Sequence, residues 1–388
     1  MKKIVICTLC LFSFIYGLNA QTLTPTYSNV DYAGKGNSKQ MMDIYIPSGT
    51  TTPKPVIVHI HGGAFLMGSE GSGEQPSYVN YYNNNFVCVD INYRLSSDSI
   101  WPAQVYDCKA AIRFLKAHAT QYQIDTCRIG AIGESAGGYL VSILGTTGDV
   151  RALEGKHLGN TNVSSRIQAV VDLFGPINFL TMDAEAAALG FTITTNSTTS
   201  PESKLMGAAV QTIPARVTSA NPTTYISVGD AAFFISAGSV DGNIPYTQGQ
   251  NFSNALVSVI GSGNASFELL AGAGHGGSVW HTAAQEAKYL AFFNAHLTGC
   301  SPSSINSEEQ KSEKIIVYPN PVRDFMTINL PADKIFSVQI LNTLGQVVYN
   351  SDHVANNLEI SCSNLLKGVY ILKATSGNTV ITNKILKQ

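Results

Sequence analysis

Residues Arg128 to Gly145 read RIGAIGESAGGYLVSILG. A short apolar run enters a cluster of small residues, and an apolar helical stretch leaves it. The pattern predicts a buried strand, a sharp turn and a helix with almost nothing between them. A turn that tight forces the apex residue into a backbone conformation that side chains avoid, and Gly133, Gly137 and Gly138 leave it room. The apex residue is Ser135. A compact connection alone would account for the glycines. It would not account for a hydroxyl presented at the start of a helix, where the backbone dipole is positive.

The flanking sequence sets the fold around this turn. PVIVHIH, FVCVDIN, RIGAIG, IQAVVDLFG, AFFISAG and SFELLAG read as buried strands. Helical stretches separate them, chiefly AQVYDCKAAIRFLKAH, AGGYLVSILG and AAQEAKYLAFFNAHL. This alternation predicts an α/β fold, a mostly parallel sheet covered on both faces by helices. Residues 178–216, rich in Ala, Thr, Ser and Gly, break the rhythm and are expected to form a cap or lid, or else a plain surface excursion. After Leu297 the composition turns small, polar and charged, and 299–314 reads as a linker between a main domain at 21–298 and a small one at 315–388. The last stretch holds only short strand-like runs punctuated by Gly, Asn and Pro, which predicts a small all-β sandwich.

A serine hydroxyl needs a base, an orienting acid and donors for an oxyanion before it becomes a useful nucleophile. HIHGGAF, ending a strand, supplies backbone N–H groups at Gly63 and Ala64, and Ala136 follows the serine. His275 in GAGHGG, after the last strand of the main domain, is the expected base, with His281 as its rival. Asp241 in SVDGNIP, just past a strand, is the expected acid. Asp230 precedes that strand, and Asp172 lies inside another. The chain order is then Ser135, Asp241, His275. His59 and His61 form an H-x-H that also fits half of a metal site, with no third ligand evident. His118, His157, His296 and His353 are read as solvent-facing.

HGGAF, NYRL, GESAGG, DGNIP and GAGHGG follow one another in a familiar order over Tyr27 to Leu297. The main domain resembles the α/β-hydrolase carboxylesterases of the hormone-sensitive-lipase-like group, and most of all the bifunctional acetylxylan and feruloyl esterases. The resemblance implies hydrolysis of carboxylic esters through an acyl-serine, with no cofactor and no metal, on acylated polysaccharide or small esters. It departs at Ala64, where the lipase-like branch carries a third glycine, and over 178–216, which matches nothing familiar. The same residues also suit a peptidase, a polyester hydrolase or a non-catalytic binding protein. VYPNPVRDFMTINL, ILNTLGQVVY, LLKGVYILKAT and the basic end NKILKQ resemble the type A sorting domain of the Bacteroidota type IX secretion system. That resemblance implies the secretion machinery as a partner and a secreted or cell-surface location.

The chain's own start agrees with export. Lys2 and Lys3, an apolar run from Ile4 to Leu18 and Ala20 form an expected signal peptide at 1–20. No other run is long enough to span a membrane. With charged residues at 13% and a net charge of -2, nothing favours nucleic acid. Five cysteines remain beyond the signal, Cys88, Cys108, Cys127, Cys300 and Cys362. Cys88 is expected to be a buried thiol, and a helix is expected to hold Cys108 and Cys127 too far apart to bond.

Overall fold

The computed structural model describes residues 23–299 and 316–388, apart from 50–51, 72–77, 149, 331–333, 343–344, 356 and 378. The expected signal peptide, Cys300 and nearly all of the expected linker lie outside the described residues. The described residues divide into two compact units, 23–299 and 316–388.

The first unit is built on an eight-stranded sheet. Its strands are β1 (Tyr27–Asp31), β2 (Met41–Tyr45), β3 (Lys54–Ile60), β4 (Val87–Ile91), β5 (Ile124–Glu134), β6 (Ala169–Leu173), β7 (Ala232–Gly238) and β8 (Ala265–Leu270). They stand in the order β1-β2-β4-β3-β5-β6-β7-β8, with β1 and β2 antiparallel and β3 to β8 parallel. The inner parallel strands β3, β4, β6 and β7 are buried along nearly their whole length because both faces are covered. Their period of two divides them between two cores. Val56, Val58 and Ile60 join Val170 and Phe233 against the helices α2 (Ala103–Ala117), α4 (Ala136–Thr146) and α8 (Thr247–Ile260). Ile57, Ile132 and Val171 face the other way, onto α1 (Tyr78–Asn83) and α9 (Ala283–His296). The remaining helices are α3 (Ala119–Tyr122), α5 (Met182–Ala188), α6 (Pro201–Met206) and α7 (Pro214–Ser219), the last three belonging to the irregular stretch that follows β6. Among the described residues no helix is long and apolar enough to cross a membrane.

The six runs read as strands form β3 to β8. The edge strand β1 and its neighbour β2 are absent from the sequence reading: YSNVD is largely exposed and carries no buried alternation, and MMDIY is only five residues long. Helix α8 is absent from it too, since NALVSVI is as β-prone as it is helical.

The second unit consists of two antiparallel sheets. One has three strands in the order β13-β10-β9, and the other has four in the order β12-β11-β14-β15. These strands are β9 (Ile316–Tyr318), β10 (Phe325–Asn329), β11 (Phe336–Leu341), β12 (Val347–Val354), β13 (Asn357–Ser361), β14 (Gly368–Ser376) and β15 (Thr379–Lys387). Met326, Ile328, Val338, Ile340 and Leu372 form its own core. SVQILNTLGQVVY contributes to both β11 and β12, with a reversal at Gly345.

Candidate active site

The candidate residues leave the sheet from the carboxyl ends of four parallel strands, the edge where open α/β sheets place their sites. Ser135 follows β5 directly and precedes α4. It adopts φ 55 and ψ -118, the strained geometry expected at the apex. The turn is this tight because α4 lies on β3: a Cβ on Gly137 would stand 1.8 Å from the Ile60 carbonyl oxygen. Ser135 N–H donates to Leu173 O at 2.9 Å, which ties the apex to β6.

Ser135 Oγ lies 2.9 Å from His275 Nε2, and His275 Nδ1 lies 2.8 Å from Asp241 Oδ2. The Asp241 side chain is fully buried, whereas the His275 side chain keeps 21% of its exposure. Asp241 Oδ1 also accepts the N–H groups of Asn243 and Ile244 at 2.8 and 3.0 Å, so the carboxylate is fixed by the loop after β7. The His275 loop is held from below. Trp280 is buried and its indole N–H donates to the carbonyls of Gly274 and Gly276, on either side of the histidine. Phe174 packs on the imidazole in a T-shaped arrangement, with ring centroids 4.9 Å apart.

The loop after β3 turns through three successive residues of positive φ, Gly63, Ala64 and Phe65. At Gly63 a Cβ would meet the Met67 carbonyl oxygen at 2.2 Å, so only glycine fits there. Ala64 takes φ 56, a conformation that costs a non-glycine residue on the order of 1–2 kcal/mol. The N–H groups of Gly63, Ala64 and Ala136 donate to no acceptor among the described residues. Gly63 and Ala64 line one cleft beside Ser135, and Ala64 and Ala136 line another. The NYRL stretch supports this loop. Tyr93 Oη donates to His61 O at 3.0 Å, and Arg94 pairs with buried Asp107 at 2.8 Å.

The rival residues stand elsewhere. His281 Nδ1 pairs with Glu286 at 3.0 Å. Asp230 closes a turn onto Ser227 at the far end of β7. Asp172 is buried, bonded by the Ser142 hydroxyl and Gly175 N–H. Burial raises its pKa to about 6 against those two bonds. His157 and His353 are exposed, as read from sequence. His118 and His296 are instead half-buried and pack on Phe114 and Phe292, one turn back on their own helices. Cys88, Cys108 and Cys362 are buried free thiols, and Cys127 is disulfide-bonded.

The H-x-H pair separates into two unlike groups. His61 donates from Nδ1 to the Gly62 carbonyl at 2.7 Å and stacks on Tyr93 at 4.4 Å. Burial lowers its pKa to about 4, against that hydrogen bond. His59 is fully buried between two carboxylates, Nδ1 at 2.9 Å from Asp90 and Nε2 at 2.8 Å from Glu134. Burial opposes its charge, but Glu134 and Asp90 together outweigh that and raise its pKa to about 10. This ion cluster lies under Ser135, one residue along the chain from Glu134. Sequence reasoning missed it. The available signal was Asp90 inside the apolar run FVCVDIN and Glu134 at the end of RIGAIGE.

Comparison with known proteins agrees with this architecture. A bifunctional GH43-CE from Bacteroides eggerthii superposes at TM-score 0.63 and 32% identity, covering 70% of this chain and 38% of that one. A truncated carbohydrate esterase from gut microbiota superposes at 0.65 and 28% identity, covering 70% and 96%. The probable carboxylic ester hydrolase LipM of Mycobacterium tuberculosis is 30% identical over 53% of this chain and 46% of its own length. The chain spans about half the length of the curated relatives it matches. Residues 316–388 match the secretion system C-terminal sorting domain, the signal for export across the outer membrane in Bacteroidota-type bacteria. Residues 42–256, more than half of the chain, match the BD-FAE family, and with its α/β-hydrolase sheet and Ser135 turn the chain belongs to that family.

Proposed function

We propose that this protein is an exported serine carboxylesterase acting on acetyl or feruloyl esters of plant polysaccharides. The observation that carries the reading is the relay from Ser135 through His275 to Asp241, at 2.9 and 2.8 Å, opening onto a cleft. The relatives named as carboxylic ester hydrolase and carbohydrate esterase support the ester class and the carbohydrate context.

In this reading Asp241 accepts from Nδ1–H and fixes the tautomer that leaves Nε2 free to take a proton. His275 removes the Ser135 proton as Oγ attacks the ester carbonyl carbon. The carbonyl oxygen becomes an oxyanion and is met by the N–H groups of Gly63, Ala64 and Ala136, none of which is spent on another acceptor among the described residues. The C–O bond to the alcohol breaks, and the imidazolium returns its proton to the leaving alkoxide. Water, deprotonated by His275, then attacks the acyl-serine, and the second collapse releases the carboxylic acid and restores Ser135. Strain at the Ser135 backbone and the positive end of α4 hold the reacting oxygen in place before substrate arrives.

The test is hydrolysis of p-nitrophenyl acetate, methyl ferulate and acetylated xylan by the wild type and by Ser135→Ala. Turnover that disappears in the variant while its thermal unfolding is unchanged supports the reading. Equal turnover in the variant removes Ser135 from the chemistry.

A further inference from the structure

Residues 178–216 do more than fill a gap between β6 and β7. A cavity of about 450 Å3 opens beside Ser135, Ala136 and His275, and residues of this stretch form its opposite wall. Thr194, Thr195, Thr199, Ser200 and Glu202 face it from that side, and Asn243 from the loop after β7. The wall is tied together internally. Asp183 accepts Thr195 N–H at 2.7 Å, and the hydroxyls of Ser200 and Ser203 donate to Thr195 O at 2.6 and 3.0 Å. A wall held this way presents its polar groups in fixed positions.

Glu202 is the ionisable group of that wall, at the first turn of α6 and 7% exposed. Burial raises its pKa, and Asp183 raises it further. A carboxylate offers about four acceptor positions, and the neighbouring Ser200 hydroxyl proton is committed to Thr195 O, so the Glu202 carboxylate keeps acceptor positions open. An alkyl chain entering the cavity would desolvate those lone pairs without replacing them. A polyhydroxylated ring would replace them.

We propose that Glu202 is a specificity-determining residue of the esterase reading above: it accepts hydrogen bonds from ring hydroxyls of the sugar that carries the ester. The cavity then holds the alcohol side of a glycosidic substrate. Apart from Ser200, whose hydroxyl is bonded within the wall, Thr194, Thr195, Thr199 and Asn243 line the same space, a spread that fits many ring hydroxyls better than the one phenolic hydroxyl of an aromatic acyl group.

The experiment compares the full chain with Glu202→Gln and Glu202→Leu, measuring kcat/KM on p-nitrophenyl acetate, acetylated xylo-oligosaccharide and methyl ferulate. The expected result is a fall of roughly tenfold or more in the ratio of oligosaccharide to p-nitrophenyl acetate for Glu202→Leu, and a smaller fall for Glu202→Gln, which keeps one acceptor. The near-isosteric Gln variant guards against a folding defect in the Leu variant. An unchanged ratio in both variants overturns the proposal, as does a loss confined to methyl ferulate, which would place a phenol there instead. Absence of Ser135-dependent turnover on p-nitrophenyl acetate overturns the esterase reading and this assignment with it, whereas turnover with an unchanged ratio overturns this assignment alone.

Discussion

Two histidines in this protein sit in nearly the same hydrogen-bond geometry and are suited to opposite tasks. His275 is held between Asp241 and Ser135 at 2.8 and 2.9 Å, and His59 between Asp90 and Glu134 at 2.9 and 2.8 Å. They differ in the second partner and in access to solvent. A second carboxylate makes His59 a fixed cation, with its pKa near 10 and its side chain 1% exposed. At His275 a hydroxyl takes that place, and 21% of the side chain is exposed. Two rings with matching distances thus serve as a buried ionic tie and as a proposed base. The number of charges around each ring decides which.

The largest effect should come from the open relay. Ser135→Ala is expected to lower kcat on p-nitrophenyl acetate by roughly 10⁴-fold or more with little change in Tm, since the side chain bears no structural load. Asp241→Asn should follow at about 10⁴-fold, because the amide favours the wrong imidazole tautomer. If Asp241→Asn kept most of its activity, His275 would not need orienting, and the comparison with His59 would lose its basis.

The buried cluster should show the reverse signature. His59→Gln is expected to cost about 3 kcal/mol or more in urea unfolding, because two buried carboxylates lose the cation between them. Activity per folded molecule should fall far less than in Ser135→Ala. A His59→Gln protein as stable as wild type but inactive would make His59 a participant in the chemistry.

The smallest and most discriminating effect is the pH dependence of that cost. His59 has its folded pKa raised from 6.5 to about 10. Its contribution is therefore fully present below pH 6.5 and is lost as pH rises toward 10. The stability gap between wild type and His59→Gln should narrow between pH 7 and pH 10, measured by urea titration at each pH. A gap that stays constant over that range would mean His59 is not held as a cation.

The comparison also shows what was readable in advance. Ser135, Asp241 and His275 were legible because each lies in a short, glycine-flanked loop directly after an apolar run. Such loops gather at one edge of a parallel sheet. The Asp90 and Glu134 pairing to His59 was not legible. Asp90 is one polar residue in a buried strand, and Glu134 occupies the free position of the serine motif. Their significance depends on β3 lying between β4 and β5 in the sheet, which the chain order does not state. The wall contributed by 178–216 was legible as a break in rhythm only. Its helices are too short for hydrophobic periodicity to reveal, α6 and α7 having six residues each.

The sequence by itself determined the strand–turn–helix around Ser135, the parallel α/β rhythm and the all-β second unit, because each follows from local sterics and periodicity within a few residues. Tertiary structure alone decided which acids meet His59, which residues of 178–216 line the cleft, and in which direction the His59 ring is shifted. His59 and Asp90 are 31 residues apart, and His59 and Glu134 are 75 apart. Proton affinity depends on the partners gathered across such distances and on the water they exclude, quantities that no local stretch of the chain contains.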